Sequence, residues 1–179
     1  IVKKGVDSIR KLLVFKAYFL PLAALSLFLW AVFNANGLGP ILSQSSKFTT
    51  KGDFWNFFFP ALTGMVGYWA TLSLNIPDFT RYSRSQQAQI RGQAYGLPPS
   101  MTIFSFIGVV VTSATVIIYG EMIWDPLVLA ERFDTKLLMS LAMIAVAVST
   151  LATNIAANIV SPANDFMNLH PAKIDFRIG

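Results

Sequence analysis

Four stretches of the chain, residues 17–33, 54–74, 97–120 and 137–164, contain no Asp, Glu, Lys or Arg. Spanning the ~30 Å hydrocarbon core of a bilayer takes roughly 20 helical residues, which is the scale of each stretch. A helix on the surface of a soluble core shows a charged face, and none of the four carries one. Only 13% of the 179 residues are charged, against about 25% in an average soluble domain. The pattern predicts an all-α polytopic membrane protein. Its four transmembrane helices fall at about 12–33, 54–74, 97–119 and 137–160, within one membrane domain over residues 1–179.

The first stretch follows basic residues, as a signal peptide would. It is long, lacks a clear small-residue cleavage site and is followed by three further spans, so a cleaved leader is not expected. The chain has no cysteine and one histidine, His170. Disulfides, thiolate metal sites and histidine clusters are therefore excluded.

The net charge of +5 invites comparison with nucleic-acid binders, but its distribution points to a lipid bilayer instead. Lys3, Lys4, Arg10, Lys11 and Lys16 precede or open the first span. Arg81, Arg84 and Arg91 lie between the second and third, and Lys173 and Arg177 follow the fourth. Ten basic residues thus fall on one side. Lys47, Lys51, Arg132 and Lys136, four in all, fall on the other. Excess Lys and Arg mark the cytoplasmic side. Both ends and the loop 75–96 are expected there, with the loops 34–53 and 120–136 facing outward. No nucleic-acid partner is expected.

Local punctuation refines this outline. NANGLGP, residues 34–40, is a helix terminator, and the loop after it has room for a short helix. The second span carries Pro60, Gly64 and Gly67 within eight residues. Two readings stand: a kink with a close Gly64-x-x-Gly67 contact, or a discontinuous helix lining a substrate site, as in many secondary transporters. Ser83 and Gln86 have capping-box spacing, which predicts a short cytoplasmic helix over 84–92. Gly96, Pro98 and Pro99 would then turn the chain into the third span. DPLVLAERFDT, residues 125–135, reads as a short amphipathic helix.

The fourth span holds Ser149, Thr150, Thr153, Asn154, Asn158 and Ser161. Such residues join membrane helices through hydrogen bonds worth about 1 kcal/mol. They also make a binding face: hydroxyls and carbonyls suit a hard cation such as Na⁺, and a carboxamide offers donors and acceptors to a cyclic amide or ureide edge. Trp69, two residues past Gly67, is either a lipid-facing or packed indole or a platform for a flat heterocycle, where stacking is worth about 1–3 kcal/mol. Trp30, Trp55 and Trp124 lie near span ends and fit interfacial anchors. The four charge-free blocks hold no acid, Lys or His. There is no Gly-x-Ser-x-Gly, His-Glu-x-x-His or P-loop pattern. An enzyme is not expected.

The run GYWATLSLNIPDFTRYSRSQ…GQAYGLP, followed by TNIAANIVSPANDF, closely resembles the nucleobase–cation symporter-1 family, importers of hydantoins, allantoin, uracil, cytosine and related compounds. The resemblance covers nearly the whole chain. It implies a twelve-span fold of two inverted five-helix repeats, of which this chain looks like spans five to eight, in a bacterial inner (plasma) membrane. The remaining spans of the parent transporter would be partners. Trp69 looks like the aromatic that stacks on the substrate ring, and Asn158 like the asparagine that bonds its amide edge. Gly67 and Tyr68 lie beside the ligand. Ser149, Ala152 and Thr153 align with the cation site, where Ser149 supplies a backbone carbonyl and Thr153 a hydroxyl. Ala152 stands where the sodium-coupled pattern has Ser, so an oxygen ligand is missing and the coupling ion is open between Na⁺ and H⁺. No other cofactor is implied.

In NIPDFTRY, Pro77 is expected to stop the helix, and Asp78 and Arg81 to reach the cytoplasmic surface. There they would pair with each other or with a neighbouring helix and help close an inward gate. The alternative is a solvated ion pair worth about 0–1 kcal/mol. The implied function is cation-coupled import of nucleobases or cyclic ureides by alternating access. Its rivals are a non-transporting helical membrane subunit and a same-fold transporter of another solute. The isolated 179-residue chain is not expected to transport, because the resemblance places part of both sites on other spans.

Overall fold

The computed structural model describes residues 6–81 and 83–175; Lys3, Lys4 and Arg177 of the charge pattern lie outside them. Among the described residues every regular element is helical: α1 (Val6–Asn34), α2 (Leu38–Leu42), α3 (Lys51–Thr80), α4 (Gln86–Tyr119), α5 (Pro126–Glu131), α6 (Lys136–Ile155), a π-helical turn (Ala156–Val160) and α7 (Ser161–Leu169). Among the described residues three helical stretches are long and apolar enough to cross a membrane: Ile9–Asn34, Gln86–Tyr119 and Lys136–Leu169. The last is one rod made of α6, the π turn and α7. The second charge-free stretch, 54–74, forms α3, whose 30 residues reach about 45 Å. The chain is an all-α integral membrane protein.

The seams follow helical spacing. Ala31 of α1 and Ala35 just past its end meet Val110, Val111 and Ala114 of α4 in a buried cluster. These small and β-branched side chains let the two backbones approach, and the Phe28 and Phe106 rings lie 6.2 Å apart beside them. Higher numbers in α1 meet higher numbers in α4, so the two helices run in the same direction. The other end of α1 uses Ile9, Leu12 and Leu13 against Ile155, Ile159 and Val160. There the order reverses, and α6 runs antiparallel to α1. That alternation is what successive spans require.

The extramembrane turns are built as local chemistry predicts. α1 ends at NANG, with Asn36 at φ 59° and Gly37 at φ 106°, conformations that Asn and Gly adopt at least cost. The short helices expected after NANGLGP and within residues 125–135 are present as α2 and α5. Asp125 caps α5 by accepting from the Leu127 N–H at 2.8 Å, and Pro126 takes the first helical position, where its missing N–H costs nothing.

Five expectations are corrected, four of them at Pro or Gly. α3 does not break at Gly64 or Gly67; it is continuous from Lys51 to Thr80. Nor do these glycines make a close contact, since a Cβ added at either would meet nothing within 4 Å. Pro77 does not stop the helix, which passes through it to Thr80, and the Arg81 N–H donates to the Pro77 carbonyl at 3.1 Å. The capping residue of the next helix is Ser85, not Ser83: its hydroxyl accepts from the Ala88 N–H at 3.1 Å. From there α4 runs through Pro98 and Pro99 without a turn. Hydroxyls line the carbonyls around the proline pair: Ser100 Oγ donates to Gly96 O at 2.5 Å and Thr102 Oγ1 to Pro98 O at 2.8 Å.

Candidate functional site

Asn158 sits inside the π turn Ala156–Val160. The cause lies four residues on. Pro162 has no N–H to give the Asn158 carbonyl, and its ring crowds that carbonyl in a regular α-helix. Widening the turn before the proline relieves the clash. Such bulges recur at functional sites, and here the bulge positions an exposed carboxamide. Asn158 Nδ2 donates to Asn154 Oδ1 at 3.0 Å. The two amides therefore stand as one unit, as their i, i+4 spacing predicted. Donating through Nδ2 orients Asn158, and its own Oδ1 is left to accept from a ligand N–H. Asn154 also lines a hollow between α5 and α6 with Leu127, Met143, Ala147, Thr150 and Ile159.

One turn before the bulge, Ala152 is fully buried and Thr153 is exposed. Lys16 of α1 crosses to this point, and its Nζ donates to Thr153 Oγ1 at 2.5 Å. Ser149 lies one turn back, partly buried. Ser149 and Thr153 thus share a face of α6, and the structure adds a protein ammonium to that face.

Trp69 and Tyr68 lie midway along α3, their rings edge to face at 5.5 Å and 87°. Trp69 lines a shallow apolar concavity with Met65, Val66 and Ala70. Its indole is 40% exposed, a free face of the kind a planar ring stacks on. Gly67 precedes the pair within regular helix. The described contacts do not bring Trp69 to Asn158. α3 meets the rest of the bundle chiefly at α7, through Arg81 at its end. Arg81 Nη2 donates to Oδ1 of Asn164, which is buried. Of the two pairings expected for Arg81, the structure shows the one to a neighbouring helix. Asp78 is partly buried one turn earlier.

Two features escaped the sequence reading, the π turn and the Lys16–Thr153 bond, and for Arg81 it did not name the partner residue. Pro162 four residues after Asn158 signals the first. The spacing of Ile9, Leu12, Leu13 and Lys16 signals the second, because a lysine at the i+7 position of an apolar stripe faces the same neighbour as the stripe.

Comparison with known proteins decides the family. The sequence profile of a family described as permeases for cytosine/purines, uracil, thiamine and allantoin matches residues 1–179. The chain belongs to this permease family, the nucleobase–cation symporter-1 family. It is 43% identical over 180 residues to an allantoin permease of Bacillus subtilis, covering 100% of this chain and 36% of the relative. It is 46% identical over 179 residues to the purine-uracil permease NCS1 of Arabidopsis thaliana, covering 100% of the chain and 30% of the relative. A uracil permease of Saccharomyces cerevisiae is 30% identical over 178 residues, covering 96% of the chain and 28% of the relative. The chain spans about a third of the length of these relatives. No solved structure matches it significantly. Among the described residues no group of three or more His, Cys, Asp or Glu forms a metal cluster.

Proposed function

We propose that the protein carrying this chain is a cation-coupled secondary transporter that imports nucleobases or related cyclic ureides, such as allantoin or hydantoin, by alternating access. The observation that carries this reading is the family match over every residue, with relatives named for allantoin, purines and uracil. Substrate stacks on Trp69, beside Gly67 and Tyr68, and its amide edge bonds to Asn158. The Asn154–Asn158 bond supports this role because it leaves Asn158 Oδ1 free to accept. Domain motion would carry α3 and the α6–π rod together around the ligand. A coupling cation, Na⁺ or H⁺, acts at the Ser149–Thr153 face, and the two sites are linked thermodynamically. The protein sits in the plasma (inner) membrane with both ends of this segment cytoplasmic. Asp78 and Arg81 brace the cytoplasmic end.

The test is ligand quenching of tryptophan fluorescence in the full-length protein, with allantoin, hydantoin, uracil and cytosine, each in Na⁺ and in K⁺. Saturable quenching by at least one, lost in Trp69→Ala, is expected. Absence of quenching by all four in folded protein would overturn the reading, favouring a transporter of another solute or a helical subunit without a substrate.

A further inference from the structure

Lys16 is a charged side chain within an apolar helix. It lies seven residues after Ile9, the start of the stretch of α1 able to cross a membrane, or about 10 Å along the axis. It belongs to the stripe Ile9, Leu12, Leu13 that seals α1 against α6 and the π turn. Its side chain is partly buried. Ionisable groups at such positions are costly and, where they occur, mark ion or substrate paths. A structural lysine would be matched by a carboxylate. Among the described residues none forms an ion pair with Lys16; its partner is the neutral hydroxyl of Thr153 at 2.5 Å. An ammonium is a compact, hard monocation with three donors, and here it sits on the oxygen that would coordinate a free cation. The neighbouring Ala152 is buried and brings no side-chain oxygen, so the face is poor in ligands for a metal ion and already holds a positive charge.

We infer that Lys16 is a tethered cation: its ammonium occupies the Thr153 end of the cation site, and substrate binding consequently does not require Na⁺. The inference rests on the cation site of the proposed function and goes beyond it in excluding free Na⁺ from that site. Two positive charges cannot share the hydroxyl, since both would stand within a few ångströms of each other where protein and lipid screen them poorly.

Two readouts on the full-length protein separate failure of this inference from failure of the transport reading. The first is the melting temperature in detergent without substrate, in NaCl against KCl. The second is the affinity for allantoin and uracil in the same two salts. In the wild type neither readout should move on exchanging K⁺ for Na⁺. Lys16→Ala should weaken ligand binding in both salts. Lys16→Ala combined with Ala152→Ser frees the position and adds a hydroxyl. In it, Na⁺ but not K⁺ should raise the melting temperature and tighten ligand binding about 5–150-fold, the usual span of coupling. Lys16→Met, which keeps the apolar stem, replaces Lys16→Ala should the latter not fold. A Na⁺-dependent melting temperature in the wild type overturns the inference. So does a Lys16→Ala protein indistinguishable from wild type, with the ammonium then serving lipid headgroups, or a double variant blind to Na⁺. If no ligand binds, the transport reading fails while the melting temperatures still decide the role of Lys16.

Discussion

Arg81 at the end of α3 donates from Nη2 to Oδ1 of Asn164 in α7, joining helices 83 residues apart in sequence. Asn164 is 1% exposed, and its Nδ2 has no partner among the described residues. The bond therefore satisfies one half of a buried amide at the place where α3 meets the bundle. Removing Arg81 alone would strand a buried acceptor, at a cost of about 1–3 kcal/mol. Arg81→Met is expected to lower the melting temperature and expose the 81–85 turn to protease. Adding Asn164→Leu removes the stranded amide and should recover part of the loss. A double variant no better than Arg81→Met would show that the guanidinium acts through other contacts.

The start of α3 carries its own pH response. Asp53 accepts from Thr49 Oγ1 at 2.8 Å and from the Thr50 N–H at 3.0 Å, while its own N–H donates to Thr50 Oγ1 at 3.1 Å. The Thr49 hydroxyl, then that of Thr50, hold the Asp53 carboxyl below its usual range. A carboxyl whose folded value is depressed contributes stability above its unfolded value near pH 4, and loses it as pH falls through the folded value. Hydrogen exchange at the first amides of α3 should therefore be slow at neutral pH, accounting for intrinsic rates, and lose protection in acid. Asp53→Asn should be less protected at neutral pH and lack this acid response. Thr50→Ala should fray the same turn, at about 1 kcal/mol.

The parts of this molecule that were legible beforehand are those decided within one helix or one turn. Four charge-free stretches predicted four long helices, and NANG predicted a stop because only Asn and Gly sit easily at φ 59° and 106°. The errors at Pro77 and at Pro98–Pro99 have one cause. A proline costs a helix about 3 kcal/mol, but α4 extends 12 residues before Pro98 and 20 after Pro99, and cooperativity carries it through. The Ser83 cap failed for a local reason: Ser85 makes the same bond two residues on. For the site, the Asn154–Asn158 pair follows from i, i+4 spacing. Lys16–Thr153, 137 residues apart, is a product of α1 packing on α6. Local spacing offers only the face on which Lys16 lies, not the partner it meets.

The turn after α4 depends on one hydroxyl. Thr115 is fully buried; its Oγ1 donates to Thr112 O at 2.7 Å and accepts from the Ile123 N–H at 2.9 Å. That second bond folds the 120–124 segment back onto the helix after Gly120, which holds φ 76° as the C-cap. Thr115→Val keeps the shape and orphans a buried N–H, at about 1–3 kcal/mol. Gly120→Ala forces a Cβ into the left-handed region, at about 1–2 kcal/mol. Both should lower the melting temperature and leave ligand affinity unchanged, because neither touches Trp69 or Asn158. A changed affinity at unchanged melting temperature would instead tie this turn to transport.

The last prediction separates touching a ligand from aiming the residue that touches it. Asn158→Ala removes the amide proposed to meet the substrate edge. A hydrogen bond that orders a heterocycle contributes about 0.5–1.5 kcal/mol net, and more where a partner is left unmet. Affinity for the best of allantoin and uracil should fall by about tenfold, each 1.4 kcal/mol being one decade. Asn154→Ala leaves that amide in place but removes the oxygen that holds Asn158 Nδ2 at 3.0 Å. Asn158 is then free to turn, and the loss should be smaller. In the double variant the two losses should not add, since Asn154 acts only through Asn158. Fluorescence titration of the three variants checks this. Additive losses would place Asn154 on the ligand as well, and no loss in Asn158→Ala would remove the π turn from the substrate site.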